Sequence, residues 1–278
     1  MTKTKIEWTD AVWNPVTGCT PVSPGCQNCW ARRMAQRQKG RNGYPVDEPF
    51  RVTVHRNRLV EPLRWRKSRR VFVCSMGDLF HEDVPDLFIS EVFKVMLDCW
   101  PRHVFQVLTK RPQRMAAWFA GFYGNQKPST NVWLGVTVED QERADERIPV
   151  LLKIPAVMRF VSYEPALGAV DLRRYLYSDY DKAAMDNQLL TPIKGFNYAK
   201  VNWVIAGCES GPKRRPAPAH WFRNVRRQCE AAGVPFFLKQ LVIDDELIKM
   251  PDLDGRVWDQ VPEVTETCRS ATPAARRS

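Results

Sequence analysis

The sequence predicts an α/β fold: a parallel (β/α) barrel, complete or partial, of about seven β/α units. Three observations predict it. Short apolar, β-branched runs alternate with helix-like segments along most of the chain. Polar residues follow nearly every run, at the end where parallel α/β folds keep their active face. The 278 residues are 44% hydrophobic, enough for one large core. A doubly wound open sheet is the alternative.

The first unit is a strand near Ala11–Val16, a cysteine-bearing loop, and a helix from about Asn28 to Gln38. The later strands are Val71–Met76, Val104–Thr109, Asn131–Val138, Ala156–Ser162, Val201–Ala206 and Pro235–Leu238. Between them Leu87–Trp100, Pro112–Phe122, Asp140–Leu152 and Ala219–Ala232 read as amphipathic helices, with Asp140 placed to cap the third. Residues 1–262 therefore form a single barrel-like domain. Two insertions interrupt it, at about 41–70, with a short strand at Phe50–His55, and at about 173–200. Residues 263–278 have the composition of a disordered tail.

No apolar run approaches the ~20 residues of a membrane span. The start, Met1-Thr2-Lys3-Thr4-Lys5, lacks the apolar stretch of a signal peptide. A cytoplasmic protein with no membrane partner is expected, and disulfides are not. Cys74, Cys99 and Cys229 then read as buried small hydrophobes, and Cys268 as incidental. His55, His103 and His220 read as surface or capping residues. The formal net charge of +11 favours polyanion partners. Its densest stretch holds Arg56, Arg58, Arg64, Arg66, Lys67, Arg69 and Arg70 beside Trp65, and is expected to contact nucleic acid.

Cys19, Cys26 and Cys29 lie within one short run. Three thiolates bind a soft metal centre and leave one coordination position open. At the strand ends, Asp78, His81, Lys110, Glu139, Glu164, Glu209, Lys239 and Gln240 aim toward one mouth. Lys110, Glu164 and Glu209 are the catalytic candidates.

The segments Trp13-Asn14-Pro15-Val16-Thr17-Gly18-Cys19 and Ser23-Pro24-Gly25-Cys26-Gln27-Asn28-Cys29-Trp30 resemble an uncharacterised phage-associated protein family. So do Asp78-Leu79-Phe80-His81, Leu108-Thr109-Lys110-Arg111-Pro112, Ser162-Tyr163-Glu164-Pro165 and Glu209-Ser210-Gly211. The resemblance covers roughly residues 5 to 262. Cys208 stands where that pattern has a glycine, and is a candidate fourth ligand or a plain substitution. More distantly, the three cysteines resemble those of radical S-adenosylmethionine enzymes, with a first gap of six residues in place of three. That resemblance implies a [4Fe–4S] cluster on Cys19, Cys26 and Cys29, and S-adenosylmethionine contacted by Asp78, Glu164 and Glu209. It also implies an electron donor and a substrate such as a nucleic-acid base or nucleotide. Two other functions stay open: a metal-binding nucleic-acid-binding module, and a cluster-free (β/α) hydrolase or lyase.

Overall fold

The computed structural model describes residues 4–122, 128–185 and 198–263. Seven parallel strands follow one another across a single sheet in chain order. They are β1 (Ala11–Trp13), β4 (Arg69–Val73), β5 (His103–Thr109), β6 (Val132–Val138), β7 (Met158–Tyr163), β8 (Trp203–Gly207) and β9 (Phe236–Ile243). An antiparallel hairpin strand, β10 (Glu246–Lys249), completes the sheet. A small ribbon pairs β2 (Val16–Thr17) with β3 (Thr53–Val54), inside the first insertion. The helices are α1 (Trp30–Arg37), α2 (Asp86–Asp98), α3 (Pro112–Phe122), α4 (Gln141–Lys153), α5 (Arg173–Leu176), α6 (Asp179–Met185) and α7 (Ala219–Ala231). Residues 186–197 of the second insertion and the tail from residue 264 lie outside the described residues.

Strict sequential order has a physical consequence. Crossovers of one hand, always stepping the same way, put every connecting helix on the same face of the sheet. The sheet then curls so that its other face encloses itself. Alternate strand residues divide accordingly. Val71, Val73, Phe105, Val107, Leu134, Val136, Val161 and Val204 face outward. They pack on Phe88, Val92, Met96, Met115, Ile148 and Phe222 of the helices. The inward residues Trp133, Phe160, Trp203, Ile205 and Phe237 form a separate cluster with Trp8. This aromatic plug fills the amino-terminal end of the curl, with Trp203 6.0 Å from Trp133 and 6.1 Å from Trp8 between ring centroids. Gly135 makes room for it, because a Cβ there would sit 2.5 Å from the Phe160 ring.

The sheet is a curled half-barrel, open between its edge strands β1 and β10. The complete barrel is not formed. Residues 4–10 span the gap. Lys249 of β10 donates to Glu7 Oε1 (2.6 Å) and to the Lys5 carbonyl (3.2 Å), while Asp10 accepts from the Arg70 backbone N–H (2.7 Å). Two histidines read as surface or capping residues are buried instead. His55 reaches Thr17 Oγ1 (2.8 Å), and His103 packs against the Pro62 carbonyl (3.2 Å). Cys74, Cys99 and Cys229 are buried, and Asp140 caps α4 by accepting from the Arg143 N–H. Among the described residues no helix is long and apolar enough to cross a membrane.

Candidate functional site

Above the aromatic plug, at the carboxyl ends of the strands, the concave face becomes polar around a cavity of about 690 Å³. Each strand contributes by the same alternation that builds the plug. Val12 and Asn14 come from β1 and its end, Phe72 and Ser75 from β4 and its end. Leu108 and Lys110 come from β5 and just beyond it, Thr137 from β6, Ser162 and Glu164 from β7 and its end, and Lys239 from β9. Gly207 stays without a side chain beside Glu164 and Lys239. Glu164 and Lys239 are ion-paired within the wall. Lys110 stands 3.5 Å from Glu139, whose fully buried carboxylate is also held by Arg147 at 3.2 Å.

The cysteine loop caps this mouth. It has little regular structure of its own, so other segments supply the partners its polar groups need. Its Thr20 Oγ1 accepts from Arg111 (2.9 Å) and pairs with His81 Nε2 (2.8 Å). The His81 Nδ1 accepts from the Asp83 N–H, so the ring is neutral with its proton on Nε2. Burial and then Arg111 hold its pKa below the ordinary value, which agrees. Ser23 donates to Glu139 (2.8 Å). Asn28 donates to Glu209 (3.0 Å) and to the Lys213 carbonyl (2.9 Å), and Arg215 donates to the Pro24 carbonyl (3.0 Å) and to Glu209 (3.2 Å through Nε). Burial pushes the Glu209 carboxyl upward, but the bonds from Arg215 and Asn28 outweigh it and leave the group below its usual range.

Of the predicted site residues, Lys110, Glu164, Glu209 and Cys29 line the one cavity. Cys208 lines it too, from a buried position. Asp78 does not. Its carboxylate is buried and accepts from Thr109 Oγ1 (2.8 Å) and the N–H groups of Phe80 (3.0 Å) and Lys110 (3.1 Å). It therefore fixes the turn that presents Lys110. Glu209 is tied to Arg215 and Asn28, so much of its hydrogen-bonding capacity holds the cap.

The three cysteines fit a soft metal centre in number and donor type. Cys19 and Cys29 pack against one small apolar cluster, Ala35, Tyr44, Phe50 and Met76. Burial, then Asp78, push the Cys19 thiol up to about 12 against the pull of Arg111, and the nearby Cys26 and Cys29 add to the rise. Among the described residues, however, no three His, Cys, Asp or Glu side chains are drawn together into a metal-holding group.

Most of the basic set is not at the mouth; Arg58 is the exception, because its partner Asn14 borders the cavity. Arg64, Arg66, Lys67, Arg69 and Arg70 lie before or at the start of β4, the opposite end of the sheet. Arg56 pairs with Glu91 (2.9 Å), Arg58 donates to the Asn14 carbonyl (3.1 Å), and Arg70 pairs with Asp10 (3.3 Å). Arg64, Arg66 and Lys67 are exposed.

Sequence reasoning passed over Thr137, Ser162, Asn28 and Arg215. The first two carried a signal. Each is a polar residue inside an apolar strand, two positions before a strand-end carboxylate, and so shares that carboxylate's face. Asn28 and Arg215 carried none, since their partners are distant in sequence.

Fold and site together define a class: an open parallel α/β half-barrel whose carboxyl-end cavity is capped by a three-cysteine loop. The chain belongs to the family described as "Protein of unknown function (DUF5131)", whose model matches residues 3–262. No curated protein and no solved structure matches it.

Proposed function

We propose that the protein is an iron–sulfur enzyme of the radical S-adenosylmethionine type, acting on a nucleic-acid base or nucleotide with electrons from an external donor. The observation that carries this reading is the position of the cysteine loop. It follows the first strand of a parallel half-barrel and covers the cavity where such folds bind ligands. Cys19, Cys26 and Cys29 would hold a [4Fe–4S] cluster. When bound, that group supplies one-electron reduction of S-adenosylmethionine, and through it hydrogen-atom abstraction.

The chain's own residues bind, orient and exclude water. Lys110 offers an ammonium to a carboxylate or phosphate. Glu164, its charge offset by Lys239, accepts from hydroxyl groups of cofactor or substrate. Glu209 with Arg215 and Asn28 keeps the cap closed over the apolar wall, and Asp78 keeps Lys110 in place.

Iron decides the reading. Anaerobically purified protein is expected to be brown and to retain iron, and Cys19→Ala, Cys26→Ala or Cys29→Ala to lose it, while Cys99→Ala and Cys229→Ala keep it. Colourless parent protein, or equal iron in Cys26→Ala, overturns the reading. The Glu164–Lys239 pair in the cavity wall would then favour the second reading, a cluster-free lyase or hydrolase.

A further inference from the structure

We infer that the cavity carries a built oxyanion subsite, formed by Thr137, Ser162 and Lys110, and that its ligand is a small phosphorylated molecule with a planar ring and hydroxyl groups between ring and phosphate. A nucleoside monophosphate has that chemistry. The inference deepens the reading of this cavity as a substrate site, but it rests on the cavity wall and not on the cluster.

Thr137 and Ser162 are 4% and 3% exposed, and both line the cavity. They face each other directly across the β6–β7 pairing. Among the described residues neither hydroxyl has a protein partner, and both open on the cavity, whereas hydroxyls on a nearly buried wall normally have one. Their surroundings are otherwise apolar strand, where Val or Ile would serve packing equally well. Two unpartnered hydroxyls side by side on a concave wall are donors aimed at something that is not protein.

The neighbouring strand supplies the charge. Thr109 pairs with Val136, so Lys110 stands one position beyond Thr109, level with Thr137. Three donors thus come from three adjacent strands in one row, about 4.8 Å apart at the backbone. The curl of the sheet converges them. The sign of the field is also set. Glu164 is offset by Lys239, and Glu139 is shared between Arg147 and Lys110, two cations to one carboxylate, so the wall beside Lys110 carries net positive charge. A row of one ammonium and two hydroxyl donors matches the terminal oxygens of a phosphomonoester.

The volume shows that the anion is only one end of the ligand. A cavity of about 690 Å³ holds a drug-sized molecule, several times a phosphate ion. Apolar side chains of the wall include Trp8, Val12, Phe72, Leu108 and Leu247, interspersed with the polar Asn14, Ser75 and Gln240, and Trp30 stands at the rim. Trp30 is 43% exposed, directly after Cys29, and presents an indole face on which a planar ring can stack. Glu164 borders the same space and accepts from hydroxyls between ring and phosphate.

Equilibrium dialysis of the full chain with radiolabelled AMP tests this, with adenosine, inorganic phosphate and acetate as competitors. AMP is expected to bind saturably at one site, with phosphate competing well and adenosine and acetate poorly. Thr137→Val, Ser162→Ala and Lys110→Met should each weaken AMP by about tenfold or more, the loss of a hydrogen bond to a charged group. Arg66→Met, at the opposite end of the sheet, should not. Thermal unfolding of each variant checks that it is folded, and the isosteric Thr137→Val guards against a packing artefact. Parent protein that retains neither AMP nor phosphate, or folded variants that bind AMP like the parent, would overturn the subsite. Adenosine competing as well as phosphate overturns it also, and acetate competing equally overturns the phosphate assignment in favour of a carboxylate. Iron content does not enter these outcomes, so a failed cluster and a failed subsite are told apart.

Discussion

Glu139 and Arg147 are a carboxylate and a guanidinium almost wholly removed from water, at 0% and 1% exposure. Breaking such a pair leaves one charge buried alone, so Arg147→Met is expected to cost about 3–5 kcal/mol, read from urea unfolding. A loss under about 1 kcal/mol would mean that Lys110 and Ser23 suffice for Glu139. The histidines set a second, pH-dependent term. Burial, then the Arg58 charge, holds His55 down at about 4, and burial lowers His81 and His103 as well. The unfolded chain takes up these protons near pH 6.5. Stability is therefore full above that value and is lost as pH falls toward 4, by on the order of 3 kcal/mol for His55 alone. His55→Gln should flatten the fall of urea midpoint between pH 7 and pH 5, and an unchanged slope would refute the assignment to His55. Composition and spacing marked Lys110, Glu164 and Glu209 as residues of one mouth. They did not show that Glu209 is bound up in a clasp or Asp78 in a turn, because a carboxylate's partners are set by side chains far along the chain.

At the level of elements, the longer strands and helices were legible because they run far enough to show their period. The sequence-based helix Pro112–Phe122 has the bounds observed for α3, and the other predicted helices differ by a residue or two at most of their ends. The hairpin strand β10, Glu-Leu-Ile-Lys, is too short and too charged to announce itself. The cysteine loop was legible in composition and not in attachment. Its anchors come from beyond the ends of β4, β5, β6 and β8, and one of them, Asn28 to Glu209, spans 181 positions. Asn28→Ala removes two of those bonds. Amide exchange in residues 18–29 is expected to quicken by about tenfold while the global urea midpoint stays near the parent's. Exchange that does not change would show the loop held from the Arg111 and Glu139 side alone.

For the molecule as a whole, the parallel order was predicted, while the choice between a complete and a partial barrel was left open, since closure depends on how strongly the sheet coils and not on any local pattern. The basic segment was legible as charge but not as location. Its Arg64–Arg70 part lies at the amino end of β4, with the cavity at the other end of the sheet, so a polyanion bound there does not enter the mouth. Nucleic-acid binding is expected to weaken steeply with salt, and Arg64→Ala, Arg66→Ala and Lys67→Ala to lower the salt slope by roughly one each. Millimolar AMP should leave that binding unchanged. Salt-insensitive binding, or displacement by AMP, would tell against two separate ends. The plugged gap between β1 and β10 also bears on how the protein is made. Trp8 belongs to a plug whose other members include Trp203, Phe237 and Val261, and the tie from Lys249 to Glu7 joins residues 242 positions apart. During synthesis the first residues of the chain leave the ribosome long before their neighbours exist. Trp8 must therefore wait, with its apolar face unburied, until Trp203, Phe237 and Val261 have emerged. The nascent protein then has a long interval in which a chaperone has something to hold.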